Sequence, residues 1–204
     1  MSDAIVTPEG LFRLFVLTLR DPARAAGYLI ALNLSRAVLW QALALVTVIG
    51  VLIAAFSPAP LPDPGPGAGA DPVVLTPFAY AVVLGAMLVM LVISLHSTGV
   101  ALGGSGTFSA TLTLVVWLEV VATAVRLAQA LSLAVSPLLG AIVSLAGFGV
   151  LFWTLLNFIK VLHGFGSLGR AVLTLFIGVT GIIVVMILIL SLIGAGPAGG
   201  PFDV

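Results

Sequence analysis

Glu119 and Arg126 lie inside an apolar run, residues 110–131, that holds no other ionisable side chain. Seven residues advance a helix by about 700°, so the two share one face, with Thr123 between them. Ionisable groups buried in a membrane often mark a proton or ion path. A path needs a relay, and a single acid fits a structural charge pair or a clamp between helices better. Ser105 and His163 are a second candidate. Ser105 stands in Gly103-Gly104-Ser105-Gly106, and His163 falls in a later loop on the same side. A hydroxyl needs a nearby base to attack a carbonyl, so a serine and a histidine are the minimum set. Gly164-Phe165-Gly166-Ser167-Leu168-Gly169 fits G-x-G-x-x-G, but a dinucleotide site needs a strand before it and an acid about 20 residues later. Here an apolar helix precedes it and the next acid is Asp203. His96 and His163 have no metal-ligand spacing, and there is neither an H-E-x-x-H nor a pair of membrane aspartates. No metal or cofactor is therefore expected, and the metalloprotease and aspartyl protease classes fall away.

The elements that hold these residues are read from hydropathy. Hydrophobic residues make up 61% of the chain and charged ones 7%, with a mean hydropathy of +1.34. Soluble domains carry about 25% charged residues, so this chain cannot cover a water-facing surface. Residues 171–193 run without an ionisable side chain for 23 positions. At about 1.5 Å per residue that crosses a hydrocarbon core of about 30 Å. The length of 204 residues leaves room for five such spans. A net charge of zero gives no basic footprint for nucleic acid. No cysteine is present, which excludes disulfides and thiolate metal sites. A cleavable signal peptide is not expected, because Arg13, Arg20 and Asp21 break the first apolar run. Six arginines against one lysine, with many Ala, Gly and Val, point to a GC-rich bacterial genome.

The expected fold is all-α: a polytopic membrane helix bundle with five transmembrane helices and an N-terminal amphipathic interfacial helix. Residues 1–36 form a cytoplasmic amphipathic segment. In residues 11–19, Leu11, Phe12, Leu14, Phe15, Thr18 and Leu19 share one side, and Arg13 and Arg20 the other. Such a helix lies in the headgroup layer with its arginines toward lipid phosphates. Asp21 before Pro22 reads as a cap where a new helix starts. Residues 25–34, too short to cross, are expected to lead directly into the first span. The membrane domain covers 37–193, with spans at 37–56, 78–102, 110–131, 138–159 and 171–193. Trp40 falls at the depth of an aromatic belt. Seven prolines in 57–77 make that stretch an extended linker, and 194–204 a flexible tail. Small residues four apart, Gly50/Ala54, Gly99/Gly103 and Thr174/Gly178, allow close helix contact, within one chain or in a homodimer.

Arg13, Arg20, Arg24, Arg36, Lys160 and Arg170 fall on one side of this alternation, and the opposite loops hold no Lys or Arg. The bias places the N-terminus in the cytoplasm and the C-terminus outside, in a bacterial inner membrane. The third span is the marginal one. Its ten Leu and Val residues contribute roughly −5 kcal/mol to insertion, against about +5 to +7 for two central charges. That face should turn into the bundle, with Arg126 snorkelling outward.

Two resemblances follow. Gly-x-Ser-Gly at 103–106 resembles the serine motif of rhomboid intramembrane proteases, which implies six spans and a serine within the bilayer; here five spans are expected and Ser105 is in a loop. The second covers nearly the whole chain. The amphipathic N-terminal segment, five spans, Gly103-Gly104-Ser105-Gly106-Thr107-Phe108 and Leu162-His163-Gly164-Phe165 before Arg170-Ala171 resemble the Yip (Ypt/Rab-interacting) domain family in its bacterial form. The resemblance implies a cytosolic N-terminus, five spans and no catalytic residue. Eukaryotic members bind small GTPases and carry Asp-Leu-Tyr-Gly-Pro in the cytosolic segment, where this chain has Ala-Gly-Tyr-Leu around Tyr28.

The function expected on these grounds is a non-enzymatic scaffold, adaptor or membrane-organising protein in contact with the lipid bilayer, with a membrane-protein partner or a second copy. Its cytoplasmic face comprises Arg13, Arg20, Arg24, Gly103, Gly104, Gly106, His163 and Arg170. The alternatives are a small transporter or channel using Glu119 and, more remotely, a rhomboid-like serine protease.

Overall fold

The computed structural model describes residues 7–56 and 76–192. Among them the regular elements are all helices: α1 (Pro8–Arg20), α2 (Pro22–Ala31), α3 (Arg36–Phe56), α4 (Pro77–Ala101), α5 (Phe108–Val135), α6 (Pro137–His163) and α7 (Leu168–Leu192). Five are long and apolar enough to cross a membrane, over Arg36–Ala54, Pro77–Ala101, Phe108–Val135, Pro137–His163 and Leu168–Ile189. The all-α, five-span architecture agrees with the sequence, and the chain is a multi-pass membrane protein. Residues 57–75 of the proline-rich stretch and the glycine-rich tail lie outside the described residues, while Thr76 and Pro77 belong to the start of α4.

Side-chain caps set the helix ends. Thr76, Thr107 and Ser136 each accept a hydrogen bond from a backbone N–H three residues on, at 3.2, 3.2 and 3.1 Å. Pro77 and Pro137 occupy first-turn positions that need no donor. At its far end α6 stops at Gly164, whose left-handed backbone (φ 66°) suits a residue without Cβ. The caps make α5 28 and α6 27 residues long. Both therefore run past the apolar stretches that mark their spans in the sequence.

α5 is the central helix. It packs against α2, α3, α4 and α6, and every residue from Thr111 to Trp117 is buried. Leu43, Leu88, Val115 and Ile159 join α3, α4, α5 and α6 in one core. The outward surface is apolar as well, with Leu45, Phe148, Phe176 and Leu188 at least 60% exposed. A soluble protein does not cover itself with such side chains, and here they meet the bilayer.

Close helix contacts use the small residues. Ser94 Oγ donates to the Gly178 carbonyl at 2.8 Å, and Thr98 Oγ1 to that of Thr174 at 3.4 Å. A Cβ at Gly178 would lie 2.9 Å from Ser94 Oγ and would displace the hydroxyl that bonds α4 to α7. Gly103 faces open space, so the Gly99/Gly103 pair does not act as a unit.

The N-terminal segment differs from expectation. Residues 25–34 do not lead straight into the first span. They form α2, which ends before Asn33 (φ 43°, left-handed) and folds back on α5 and α6. Ala25 and Ala26 are fully buried, and their small side chains let α2 approach Trp117, Val121 and Phe158 closely. On α1 the expected apolar face is divided. Leu14 and Thr18 are buried, whereas Leu11, Phe12 and Leu19 are 45%, 67% and 44% exposed.

Candidate functional site

The polar centre of the bundle is on α5. Arg126 Nη1 donates to Glu119 Oε1 at 2.6 Å, with the side chains 33% and 7% exposed. The pair faces α3 and α4: a Cβ at Gly50 would lie 3.3 Å from Leu84 Cδ2, 3.5 Å from Arg126 Nη1 and 3.6 Å from Glu119 Oε1. Thr123 lies between them, and its Oγ1 is buried without a hydrogen-bond partner. The spacing therefore brings all three to one face, but only the two charges are bonded. Each charge offsets the cost of burying the other. Glu119 is also the only acid on the spans among the described residues, so no second acid stands by to receive a proton.

A second constellation forms where the α4–α5 and α6–α7 turns meet. His163 is not in an exposed loop: it is the last residue of α6 and 2% exposed. Lys160 marks the end of charge-free sequence, but the helix continues one turn further to Gly164. The His163 ring fills a socket of three glycines. A Cβ at Gly104 would come within 2.5 Å of His163 Cβ, and one at Gly106 within 2.9 Å of the ring. At Gly99 a Cβ would overlap the ring outright. Phe165 stacks on the other side at 5.3 Å, and the Ser105 N–H donates to the His163 carbonyl at 3.3 Å. Both ring nitrogens are buried, and neither has a hydrogen-bond partner among the described residues.

This geometry does not make a nucleophile. Ser105 is exposed, and its hydroxyl has no hydrogen bond to His163, so the pairing a serine protease requires is absent from the described residues. The G-x-G-x-x-G match spans the cap of α6 and the first turn of α7, with no strand before it. His96 sits edge-on to Phe108 at 5.8 Å.

The third feature is the arm formed by α1 and α2. Thr18 Oγ1 accepts from Trp117 Nε1 at 2.9 Å and donates to the Leu14 carbonyl at 2.8 Å, fixing α1 to α5. Asp21 caps α2 through the Arg24 N–H at 3.0 Å. Arg13 pairs with Glu9 at 2.6 Å, and the Arg24 guanidinium lies 6.0 Å from the Tyr28 ring centre. Of the residues expected on the cytoplasmic face, Arg13, Arg20, Arg24, Gly103 and Arg170 are exposed, Gly104 is half-buried, and Gly106 and His163 are buried. The Trp117–Thr18 bond joins residues 99 positions apart and leaves no local signal in the sequence.

No curated protein and no solved structure matches the chain. The family model described as the Yip1 domain matches residues 16–189. The matched stretch begins within α1 and contains the arm's docking contact, the Glu119–Arg126 pair and the glycine socket. The chain belongs to the Yip1 domain family.

Proposed function

We propose that this protein is a non-enzymatic scaffold or adaptor of a bacterial inner membrane, with its N-terminus in the cytoplasm and its C-terminus in the periplasm. The observation that carries the reading is the arm. Half of the apolar stripe of α1 is spent on docking, and the other half, with Phe12 67% and Leu19 44% exposed, is left outward. It stands beside Arg13, Arg20 and Arg24, on the side where six basic residues gather. An apolar face rimmed by charge, held to a rigid bundle by Trp117, suits contact with the headgroup layer and a membrane-protein partner. The transporter alternative has less support, because Glu119 is already neutralised by Arg126 and no second acid lies on the spans among the described residues.

Two measurements test the reading. A photo-crosslinker in place of Phe12, used in native membranes, should give a discrete protein adduct that the same probe at bilayer-facing Phe176 does not. Adducts to lipid alone at position 12 would contradict the adaptor role. In liposomes the protein should support no ion or proton flux sensitive to Glu119→Gln, and a flux lost in that variant would replace the scaffold reading by a transporter.

A further inference from the structure

Between the arm and the spans lies an apolar crevice of about 320 Å³. Its walls include Leu11 and Leu14 of α1, Leu29 of α2, Leu39 and Ala42 of α3, and Trp117 of α5. Only two polar side chains line it, and both are engaged within the protein. Trp117 Nε1 is bonded to Thr18 at 2.9 Å, and Thr113 Oγ1 to the Ser109 carbonyl at 2.9 Å. What enters the crevice therefore meets hydrocarbon and finds no hydrogen-bonding side chain to recruit. Its apolar lining and size suit a segment of an alkyl chain.

The arm cannot close this gap by itself. α2 is locked to α5 and α6 through fully buried Ala25 and Ala26. The link to α3 turns at Asn33, whose left-handed backbone (φ 43°) is one that asparagine tolerates. Charge then narrows the occupant. Leu34 and Leu39 both line the crevice, and Arg36, which lies between them in sequence and is not itself a wall, is exposed at the start of α3. Among the described residues the acids are otherwise occupied: Glu9 holds Arg13, Glu119 holds Arg126 and Asp21 caps α2. Arg36 is thus a cation without a carboxylate, beside a hydrocarbon slot, where a span begins.

We infer that the crevice binds one acyl chain of an anionic phospholipid, with the lipid phosphate at Arg36. The site seats a structural lipid between arm and bundle, and it does not depend on the scaffold reading. Electrostatic attraction by Arg36 selects an anionic headgroup, and the hydrocarbon walls hold the chain.

The tryptophans provide the test. Trp40 and Trp153 are 42% and 50% exposed, whereas Trp117 is 8% exposed and shielded from bulk lipid. In a Trp40→Phe/Trp153→Phe variant Trp117 is the sole indole, and bromine on an acyl chain quenches it only on close approach. Vesicles of chain-brominated phosphatidylglycerol should quench Trp117 at least twofold more strongly than chain-brominated phosphatidylcholine. Arg36→Gln should remove that excess. Ala42→Phe, which fills the slot, should lower quenching in both lipids, and circular dichroism checks that each variant is folded. Should that variant fail to fold, the smaller filler Thr113→Leu takes its place. Absence of quenching would mean that the crevice is closed to lipid, by a second copy or a protein segment, and would overturn the site. Equal quenching by the two headgroups, an excess that survives Arg36→Gln, or quenching unchanged by the filler would overturn it too.

Discussion

The Glu119–Arg126 bond is the costliest single commitment on α5. Removing one partner leaves the other charged and without compensation in a low-dielectric interior. Arg126→Leu should therefore destabilise the bundle by about 3 kcal/mol, the low end of the range for buried pairs because Arg126 is one third exposed. Glu119→Leu/Arg126→Leu should recover most of that loss, since no charge is then stranded. Unfolding curves in detergent micelles compare the three proteins. Smaller groups matter as much around His163. Gly99→Ala places a methyl group inside the imidazole and should cost roughly 1–3 kcal/mol, with His163→Ala on the same background restoring most of it. The first of these sites was legible in the sequence, because a spacing of seven fixes a shared helix face before any packing is known. The second was not. Whether a histidine after Lys160 is exposed depends on where α6 stops, and on glycines 57 to 64 positions earlier that leave room for a ring.

At the scale of elements, the spans follow from composition and the arm follows from packing. Thr, Ser and Pro start α4, α5 and α6 where local chemistry says they should, and the five apolar runs need no tertiary information. Asp21-Pro22 likewise marked the break between α1 and α2. Its destination was not marked, because Ala25 and Ala26 read equally well as a lead-in to the first span and as a docking face. Only the opposing surface of α5 and α6 decides between them. Two substitutions measure what holds the arm. Trp117→Phe keeps an aromatic side chain but loses the indole N–H that bonds Thr18 and some buried volume, and should cost at least about 1 kcal/mol. Asp21→Ala removes the cap of α2 and should cost about 1 kcal/mol as well. Both should raise the protease sensitivity of the link near Asn33 while leaving the spans intact, which limited proteolysis followed by mass spectrometry distinguishes from global unfolding.

For the whole molecule, the proposed topology of five crossings implies termini on opposite sides of the membrane, and the distribution of Arg and Lys is the ground for proposing which side is which. In the orientation we propose, the arm, the α4–α5 turn and the α6–α7 turn share one face, and Phe12, Arg24 and Arg170 would all be open to the cytoplasm. If the orientation were reversed, the basic face and the proposed lipid site would lie in the other leaflet. The most direct test is a pair of reporter fusions, one after Val204 and one between Pro64 and Gly65, each made with alkaline phosphatase and with green fluorescent protein. Both positions should give active phosphatase and dark fluorescent protein, as expected outside the cytoplasm. A fluorescent, phosphatase-negative fusion at either position would contradict the orientation on which the cytoplasmic scaffold depends.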